Sequence, residues 1–430
     1  MDSFLAKELC QQKNYKAVLA IYQNARPNPS WTGWDYYYYA YALQKMKDYA
    51  KGHEIARLGM IAFPQFSRLH SVYCWCVYYV YIQKYTEKRD DPRRFRQAVD
   101  AVLQYSRQEP YSPYTQTVWK VVNSLRGRPG HRAADISHYL EKLDPDLLSA
   151  EERSLRKNGV TVPVASEKEQ WYSLRSRFLV KEEKYDACIA LCQEALRVFS
   201  QFHHDNDMWF SYRIALCQLR KGQVDEAMQE FQRLLQYHEH WIFYRGLFYG
   251  AEARSDLPSM LQYGAAGMLT GSQLAEKINF IAQFAEALQQ AGQDMMAFVH
   301  YVLIVKLRKQ RGWYISADLQ QRVAAYQQPV PTWQTLLDTV YSFWISCKHA
   351  GEEPLYGTID TVLPGHAGGF IRTYAGHTYY FKTASLYRTE ARCGLYVRFY
   401  VQEGRKGPEK TAQRAVDIVE AEKKLYHSTR

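Results

Sequence analysis

The sequence predicts a mainly α-helical protein of repeated helix pairs that ends in a small β domain. Three observations carry that class. Small residues recur at helical spacing through most of the 430-residue chain. The aromatic residue that opens the second helix of a pair returns after one period, Tyr15 and Tyr49 standing 34 residues apart. From Leu355 onward the apolar pattern changes from the period of a helix to that of a strand.

A chain of this length exceeds one ordinary core and implies two or three folding units. Its 47% hydrophobic content with mixed charge excludes wholesale disorder. Tyrosine is the compositional outlier at 36 copies, including the run Tyr36 to Tyr39. Each offers an apolar body and a polar tip, suited to helix packing and to binding surfaces alike. No stretch approaches the ~20 apolar residues of a membrane span, and "MDSFLAKELC" lacks a basic flank followed by an apolar run. A soluble cytoplasmic protein is therefore expected, with no membrane partner. The eight cysteines are scattered without the paired spacing of a zinc site, so structural roles are expected for all of them. The net charge of +11 is uneven: residues 1–160 carry a basic excess of 8, residues 161–350 none, and residues 351–430 an excess of 3. Such an imbalance suits an acidic partner, although solvated helix faces produce the same pattern.

The helix pairs follow in order. "QKNYKAVLAIYQNARPNP" supplies the second helix of a first pair. "WDYYYYAYALQKMKDYAKGHEIARLGMIAFP" is the clearest full copy: Ala40 is the small residue of its first helix, Tyr49 opens the second, and Gly52, Ala56 and Gly59 let the two approach before Pro64 ends the unit. More divergent pairs run from Tyr73 to Leu143, with Pro92, Pro110 and "GRPG" at their turns. "LDPDLLSAEERSLRKNGVTVPVASEKEQ" is polar, contains Asn158-Gly159 and loses helical periodicity, which marks a break between a first block, 1–150, and a second, 166–350. The second block repeats the layout at Ser176, Tyr185, Cys188, Cys192 and Ala195, and again at Ala215, Gly222, Ala227, Phe231 and Leu234. Gly292 stands 70 residues, two periods, beyond Gly222. "PTWQTLLDTVYSFWISCKHAGEEP" is an amphipathic closing helix that caps the array.

Over residues 1 to about 325 this layout resembles the tetratricopeptide repeat. The resemblance implies a right-handed α-solenoid with a concave inner face that binds a protein partner. Projected onto that geometry, the inner face collects Trp34, Tyr37, Tyr41 and Lys45, then Arg177 and Lys181, then Trp209 and Tyr212, then Arg245 and Tyr249. Aromatics interleaved with basic residues would hold a peptide in pockets, or stack on single-stranded nucleic acid. Packing between adjacent repeats is the alternative use of the same rings.

The closing segment, 355–421, reads as strands "YGTIDTVL", "GGFIRTY", "HTYYFKT" and "YVRFYVQE". Gly357 with Ile359, then Gly369-Phe370-Ile371, then Gly394, Val397 and Phe399, then Lys406-Gly407-Pro408, then Ala415 and Val419 occur in the order and spacing of the cold-shock domain, which this segment resembles. That resemblance implies a five-stranded OB-type barrel whose outward aromatics stack on unpaired bases of RNA or DNA. Phe370 matches one stacking position. Phe381 matches another if the alignment runs ungapped, which turns Lys382 inward; a one-residue slide exposes Tyr380 and Lys382 and buries Phe381 instead. Arg372, Tyr374, His377 and Tyr379 complete the candidate contacts. Thr361 and Gly368 stand where the family has aromatic residues, so part of the stacking platform is missing.

Catalytic signatures are absent from the sequence: it has no GxxxxGK[ST], HExxH or GxSxG. His203, His204, Asp205 and Asp207 in "FHHDND", and His238 and His240 in "YHEHW", are metal-ligand types, but they fall at helix ends, where capping uses the same residues. His366 and His377 lack a third catalytic group. The expectation is a non-enzymatic adaptor without cofactor or metal, in which the repeats hold a protein and the barrel holds single-stranded nucleic acid. A pure protein-interaction scaffold whose barrel has lost nucleic-acid binding is the alternative, and an RNA-processing enzyme subunit is a third reading without a motif.

Overall fold

The computed structural model describes residues 3–22, 30–87, 89–127, 133–157, 159–326, 328–365, 367–406 and 410–422. They form two compact units, Met1–Arg213 and Ile214–Arg430. Residues 128–130 of "GRPG", together with Asn158, His366, Gly407 and Pro408, lie outside the described residues.

In the first unit, helices α1 (Ser3–Gln11) and α2 (Tyr15–Tyr22) form one antiparallel pair and α3 (Gly33–Lys45) and α4 (Tyr49–Ala62) the next. The small residues do what the pattern requires: Ala40 and Ala56 are fully buried, and a Cβ at Gly59 would fall 2.6 Å from Tyr36 Cβ. Asp35, buried at the start of α3, accepts from the Thr32 backbone N–H at 2.8 Å and from the Tyr22 hydroxyl at 3.1 Å. One carboxylate thus caps α3 and ties it to α2. Next come α5 (Arg68–Val77), running on as a π-turn to Ile82, then α6 (Pro92–Tyr105), α7 (Pro113–Arg126) and α8 (Ala133–Leu140). Pro92 and Pro113 sit at first-turn positions of α6 and α7, where no N–H is needed.

The polar stretch read as a break is a β-hairpin, β1 (Arg153–Lys157) against β2 (Val160–Val164), in antiparallel register from Arg153↔Val164 to Lys157↔Val160. Gly159 takes φ +81° in its turn, so the Asn158-Gly159 that accompanies the loss of helical periodicity is a hairpin signal. Helices α9 (Glu167–Lys181), α10 (Tyr185–Val198) and the start of α11 (Asn206–Arg220) complete this unit.

The second unit continues α11 and adds α12 (Val224–Tyr237), α13 (Trp241–Ala253), α14 (Leu257–Leu269), α15 (Ile278–Gln290), α16 (Asp294–Arg311), α17 (Ala317–Ala324) and α18 (Trp333–Lys348). The turns inside the helix pairs share one device. Lys13, Lys47, Glu183, Gly222, Ser255 and Gly292 all take positive φ, between 56° and 85°. The left-handed residue lets the chain reverse within a few residues, and glycine occupies only two of the six places where it would be least strained. Gly222 and Gly292, which betrayed the period in the sequence, occupy this same turn position.

The closing helix α18 buries Leu336, Val340, Trp344 and Ile345. Its Trp344 Nε1 donates to Nε2 of His300 on α16 at 2.8 Å, while His300 Nδ1 meets the Met296 carbonyl at 2.6 Å. Both bonds suit a neutral imidazole, and complete burial pulls His300 down to about 4. Among the described residues, no helix is long and apolar enough to cross a membrane.

Strands β3 (Leu355–Val362), β4 (Gly368–Thr373), β5 (Thr378–Lys382), β6 (Tyr396–Lys406) and β7 (Lys410–Glu420) close a barrel in the order β3-β4-β5-β7-β6. β5 and β7 are parallel, and the other neighbours are antiparallel. This is the five-stranded OB-like barrel that the resemblance implies. Ile359, Ile371, Phe381, Val397, Phe399, Ala415 and Ile418 fill it.

Candidate nucleic-acid interface

Strand alternation divides the aromatic residues of the barrel. On β4, Gly369 and Ile371 point inward and Phe370 and Arg372 outward. Across the ladder Gly369 faces Phe381 and Phe370 faces Tyr380. A Cβ at Gly369 would lie 2.8 Å from the Phe381 ring and 2.2 Å from the Thr361 carbonyl, so glycine here makes room for Phe381 in the core.

That pairing decides the register left open by the sequence. Phe381 is 0% exposed and is removed from the candidate interface, because its ring lies against Gly369 among the core residues. The ungapped alignment would have buried the Lys382 ammonium instead, a far costlier choice. Tyr379 is corrected for the same reason: it shares the inward phase of Phe381 and packs on Phe399 with ring centroids 5.4 Å apart. Lys382 is exposed and Tyr380 half-buried on the outer face.

Phe370 and Tyr380 form an edge-to-face pair at 5.7 Å. The Tyr380 ring reaches across Gly368, where an added Cβ would come within 2.9 Å of its hydroxyl oxygen. The aromatic surface missing at Gly368 is thus supplied from the neighbouring strand. Arg372 is exposed and paired with Asp360 at 2.8 Å, an exchangeable surface contact worth roughly 0–1 kcal/mol. Tyr374 is 77% exposed in the β4–β5 turn, with His377 exposed beside it.

Sequence reasoning missed a second aromatic group on the outside of the barrel. Tyr356 on β3 stacks on Tyr396 of β6 at 6.2 Å, and the Tyr374 ring also lies 6.2 Å from Tyr396. Arg398, paired with Tyr356 across the ladder, belongs to the same row. Tyr356, Tyr396 and Arg398 line a cleft of about 670 Å³ whose other wall includes Gln334, Asp338 and Tyr341 of α18. The signal was present in "YVRFYVQE", since the phase that sends Val397 and Phe399 inward sends Tyr396 and Arg398 outward.

Another part of the barrel surface is occupied. Between Arg398 and Tyr400 the β6–β7 register shifts, because Asp417 and Ile418 both stand opposite Phe399. The bulge keeps Ile418 in the barrel core and turns Asp417, at φ +50°, toward α18. There Asp417 Oδ2 accepts from Lys348 Nζ and from His349 Nε2, each at 2.7 Å, while the Tyr400 ring lies flat on His349 at 3.8 Å. Burial pushes the Asp417 carboxyl up, but His349 and Lys348 more than offset it and hold the group below its ordinary value. Tyr387 adds a hydrogen bond to the Leu269 carbonyl of α14 at 3.0 Å.

The helical candidates lie in both units. On α3, Tyr37 and Tyr41 stack at 5.7 Å and Lys45 covers Tyr41 at 5.0 Å, one ladder along a single face. Trp34 is 38% exposed between Tyr38, Phe66 and the Arg68 guanidinium. Lys181 and Arg177 are exposed on α9, and Trp209 and Tyr212 are half-buried on α11. In the second unit Arg245 lies over Trp241 at 5.0 Å and over Tyr249 at 6.0 Å. The metal-type residues serve helix ends. His203 donates Nδ1–H to Glu169 at 2.8 Å and meets Glu152 at 3.2 Å, and His240 Nδ1 accepts the Ile242 N–H at the start of α13. The bond to buried Glu169 raises His203 above its ordinary value.

These features define a helical-repeat protein with a docked OB-like barrel. Similar solved structures are tetratricopeptide-repeat proteins. The human IFIT1 dimer with m7Gppp-AAAA is 11% identical, with 79% of this chain and 72% of that one covered and a TM-score of 0.36. A tetratricopeptide repeat protein from Parabacteroides merdae is 10% identical, with coverages of 74% and 100% and a TM-score of 0.36. The Cut9–Hcn1 hetero-tetramer of the APC/C is 11% identical, with coverages of 80% and 78% and a TM-score of 0.32. No family model matches the sequence, and no curated protein matches it. Identities this low bear on the fold alone, which rests here on the helix pairs and the barrel themselves.

Proposed function

We propose that the protein is a non-enzymatic cytoplasmic adaptor whose helix pairs hold a protein partner and whose barrel binds single-stranded RNA or DNA. The observation that supports it is the outward pair Phe370 and Tyr380, flanked by Arg372 and Lys382. A ring exposed on a sheet accepts any base, and adjacent cations meet the phosphates, so recognition of this kind is tolerant of sequence. Tyr356, Tyr374 and Tyr396 extend the platform toward the cleft beside α18. Tethering to the helix pairs raises the effective concentration of a modest site.

Anisotropy of a labelled single-stranded oligonucleotide at low salt tests the reading. Phe370→Ala and Tyr380→Ala should each weaken binding by about 1–3 kcal/mol, the worth of one stacked base, and the wild-type affinity should fall as salt rises. No binding by the wild type at low salt, or unchanged affinity in both variants, refutes it and leaves a protein-interaction scaffold.

A further inference from the structure

The cleft beside α18 carries more than an open stacking platform needs. One wall comes from Gln334, Asp338 and Tyr341, spaced i, i+4 and i+7 along α18, and the other from Tyr356, Tyr396 and Arg398 of the barrel. All six belong to the second unit. At about 670 Å³ the cleft is of the size that encloses a small ligand.

Both walls combine rings with hydrogen-bonding groups. The Tyr356 and Tyr396 rings are inclined by only 20°, and Tyr341 lies 5.4 Å from Tyr387, whose hydroxyl is anchored on the Leu269 carbonyl. Asp338 Oδ1 accepts from Arg388 Nε at 2.8 Å, whereas the hydrogen bond of Oδ2 is a long one, to the Gln334 amide at 3.4 Å. Arg398 Nε is buried without a hydrogen-bond partner among the described residues. A strong acceptor and a strong donor in the lining are thus incompletely used.

The strand register joins this cleft to the platform. Thr358 of β3 points outward between buried Gly357 and Ile359, and is paired with Tyr396 of β6 on one side and with Arg372 of β4 on the other. Neighbouring strands stand about 4.8 Å apart, so the row from Arg372 to Tyr396 spans roughly 10 Å. Phe370 shares the outward phase of Arg372. A single strand held on Phe370 has that short distance to cross before one of its bases meets the cleft.

The lining favours one kind of base. Stacking accepts any of them, but hydrogen bonds to a base edge discriminate. Guanine presents two adjacent donors, N1–H and N2–H, to a carboxylate, and two acceptors, O6 and N7, to a guanidinium. Thymine and uracil set a single N–H between two carbonyl oxygens, which a carboxylate repels. Adenine and cytosine offer one amino group beside a ring acceptor. A cationic side chain from a protein would meet both Arg388 and Arg398 in the same lining.

We propose that the cleft between α18 and strands β3 and β6 binds a guanine base of the strand held by the platform, stacked on the Tyr356–Tyr396 side, with Asp338 accepting from N1–H and N2–H and Arg398 donating to O6 and N7. The inference rests on the reading that the barrel binds single-stranded nucleic acid. The platform supplies tolerant affinity, and the cleft supplies base selectivity.

The test uses the full chain and anisotropy of labelled oligothymidylate, alone and with one thymine replaced by guanine, adenine or cytosine at each position in turn. The best-placed guanine should tighten binding at least about tenfold over thymine, and more than adenine or cytosine there. Asp338→Asn, which sets a donor against a donor, and Tyr396→Ala should each bring the guanine-to-thymine ratio close to one. Arg388→Ala breaks the same ion pair yet keeps the carboxylate, so it should retain the preference and exclude local rearrangement as the cause. Phe370→Ala should weaken both oligomers by a similar factor and leave the ratio unchanged. Free guanosine monophosphate should compete away only the guanine increment; if it binds as tightly as the guanine oligomer, the cleft is a site for a free nucleotide and the proposal is overturned. Equal affinity for all four oligomers, or a preference that survives in both Asp338→Asn and Tyr396→Ala, also overturns it, while leaving the platform reading intact if Phe370→Ala weakens binding. No binding of any oligomer at low salt removes both.

Discussion

Asp417→Asn should loosen the barrel from α18 while leaving the barrel folded. Asparagine keeps the size of the side chain and tolerates the left-handed backbone at φ +50°, so the change isolates the charge. In the wild type one oxygen accepts from both Lys348 and His349 at 2.7 Å, and Asp417 is 4% exposed. Hydrogen bonds to a charged group contribute about 1.5–3 kcal/mol and neutral ones about 0.5–1.5, so two bonds losing their charge cost roughly 2–3 kcal/mol. Amide hydrogen exchange read by mass spectrometry over residues 341–349 and 396–406 should accelerate by roughly 30- to 150-fold, since about 1.4 kcal/mol is a factor of ten. Arg388→Ala, which breaks the more exposed pair with Asp338, serves as the control and should change exchange by less than about fivefold. The acid response follows the same group. Because Asp417 is held below its ordinary value of 3.8, its contribution is complete above that value and is lost as pH falls through its folded-state pKa. The variant should lack this step. Exchange no faster than in Arg388→Ala, or an acid profile identical to wild type, would refute the assignment of the dock to this carboxylate.

Four other outcomes are expected. Trp344→Phe leaves His300 Nε2 buried without its donor, and should lower stability by about 1–3 kcal/mol in denaturant unfolding. Because His300 is depressed to about 4 from 6.5, the unfolded chain takes up its proton first, and wild-type stability should fall as pH drops from 6.5 toward 4, a slope that His300→Gln removes. Glu183→Gly, at φ +59° in a helix-pair turn, should raise the melting temperature by relieving about 1 kcal/mol of strain, whereas glycine at a right-handed helical position of α9 should lower it. Gly369→Ala places a methyl 2.2 Å from the Thr361 carbonyl and should unfold the barrel, seen as lost strand signal in circular dichroism, whereas Phe370→Ala should leave that signal intact.

The helix pairs were legible because their packing rule is local. Gly52, Ala56 and Gly59 recur on one face at fixed spacing, and the contacts of Gly52 and Gly59 show that larger residues would collide with Cys76 and Tyr36. The β1–β2 hairpin was not, although Asn158-Gly159 announces a turn, because Arg153, Arg156 and Lys157 hide the alternation of a strand with no buried face. Exposed Leu155, Val160 and Val162 explain the same failure, since the hairpin fills no core that periodicity could reveal. The α18 dock was equally hidden, since it joins Lys348 to Asp417 across 69 positions and depends on a bulge that no local pattern encodes.

The candidate interface shows how a single phase decides function. Once Gly369 admits Phe381, every other ring on β4 and β5 is assigned: Tyr379 must face the core, and Phe370 and Tyr380 must face outward. The bulge in β7 makes a complementary decision, freeing Asp417 to grip α18 without taking Ile418 from the core. A straight ladder there would send one of the two to the wrong environment, either an aspartate into an apolar barrel or an isoleucine against Lys348. Dock and platform are therefore coupled through the same barrel packing. A substitution in the core, such as Phe381→Ala, should impair both, whereas Phe370→Ala and Asp417→Asn should each impair one, and measuring oligonucleotide binding and α18 exchange on all three separates a shared frame from two independent surfaces.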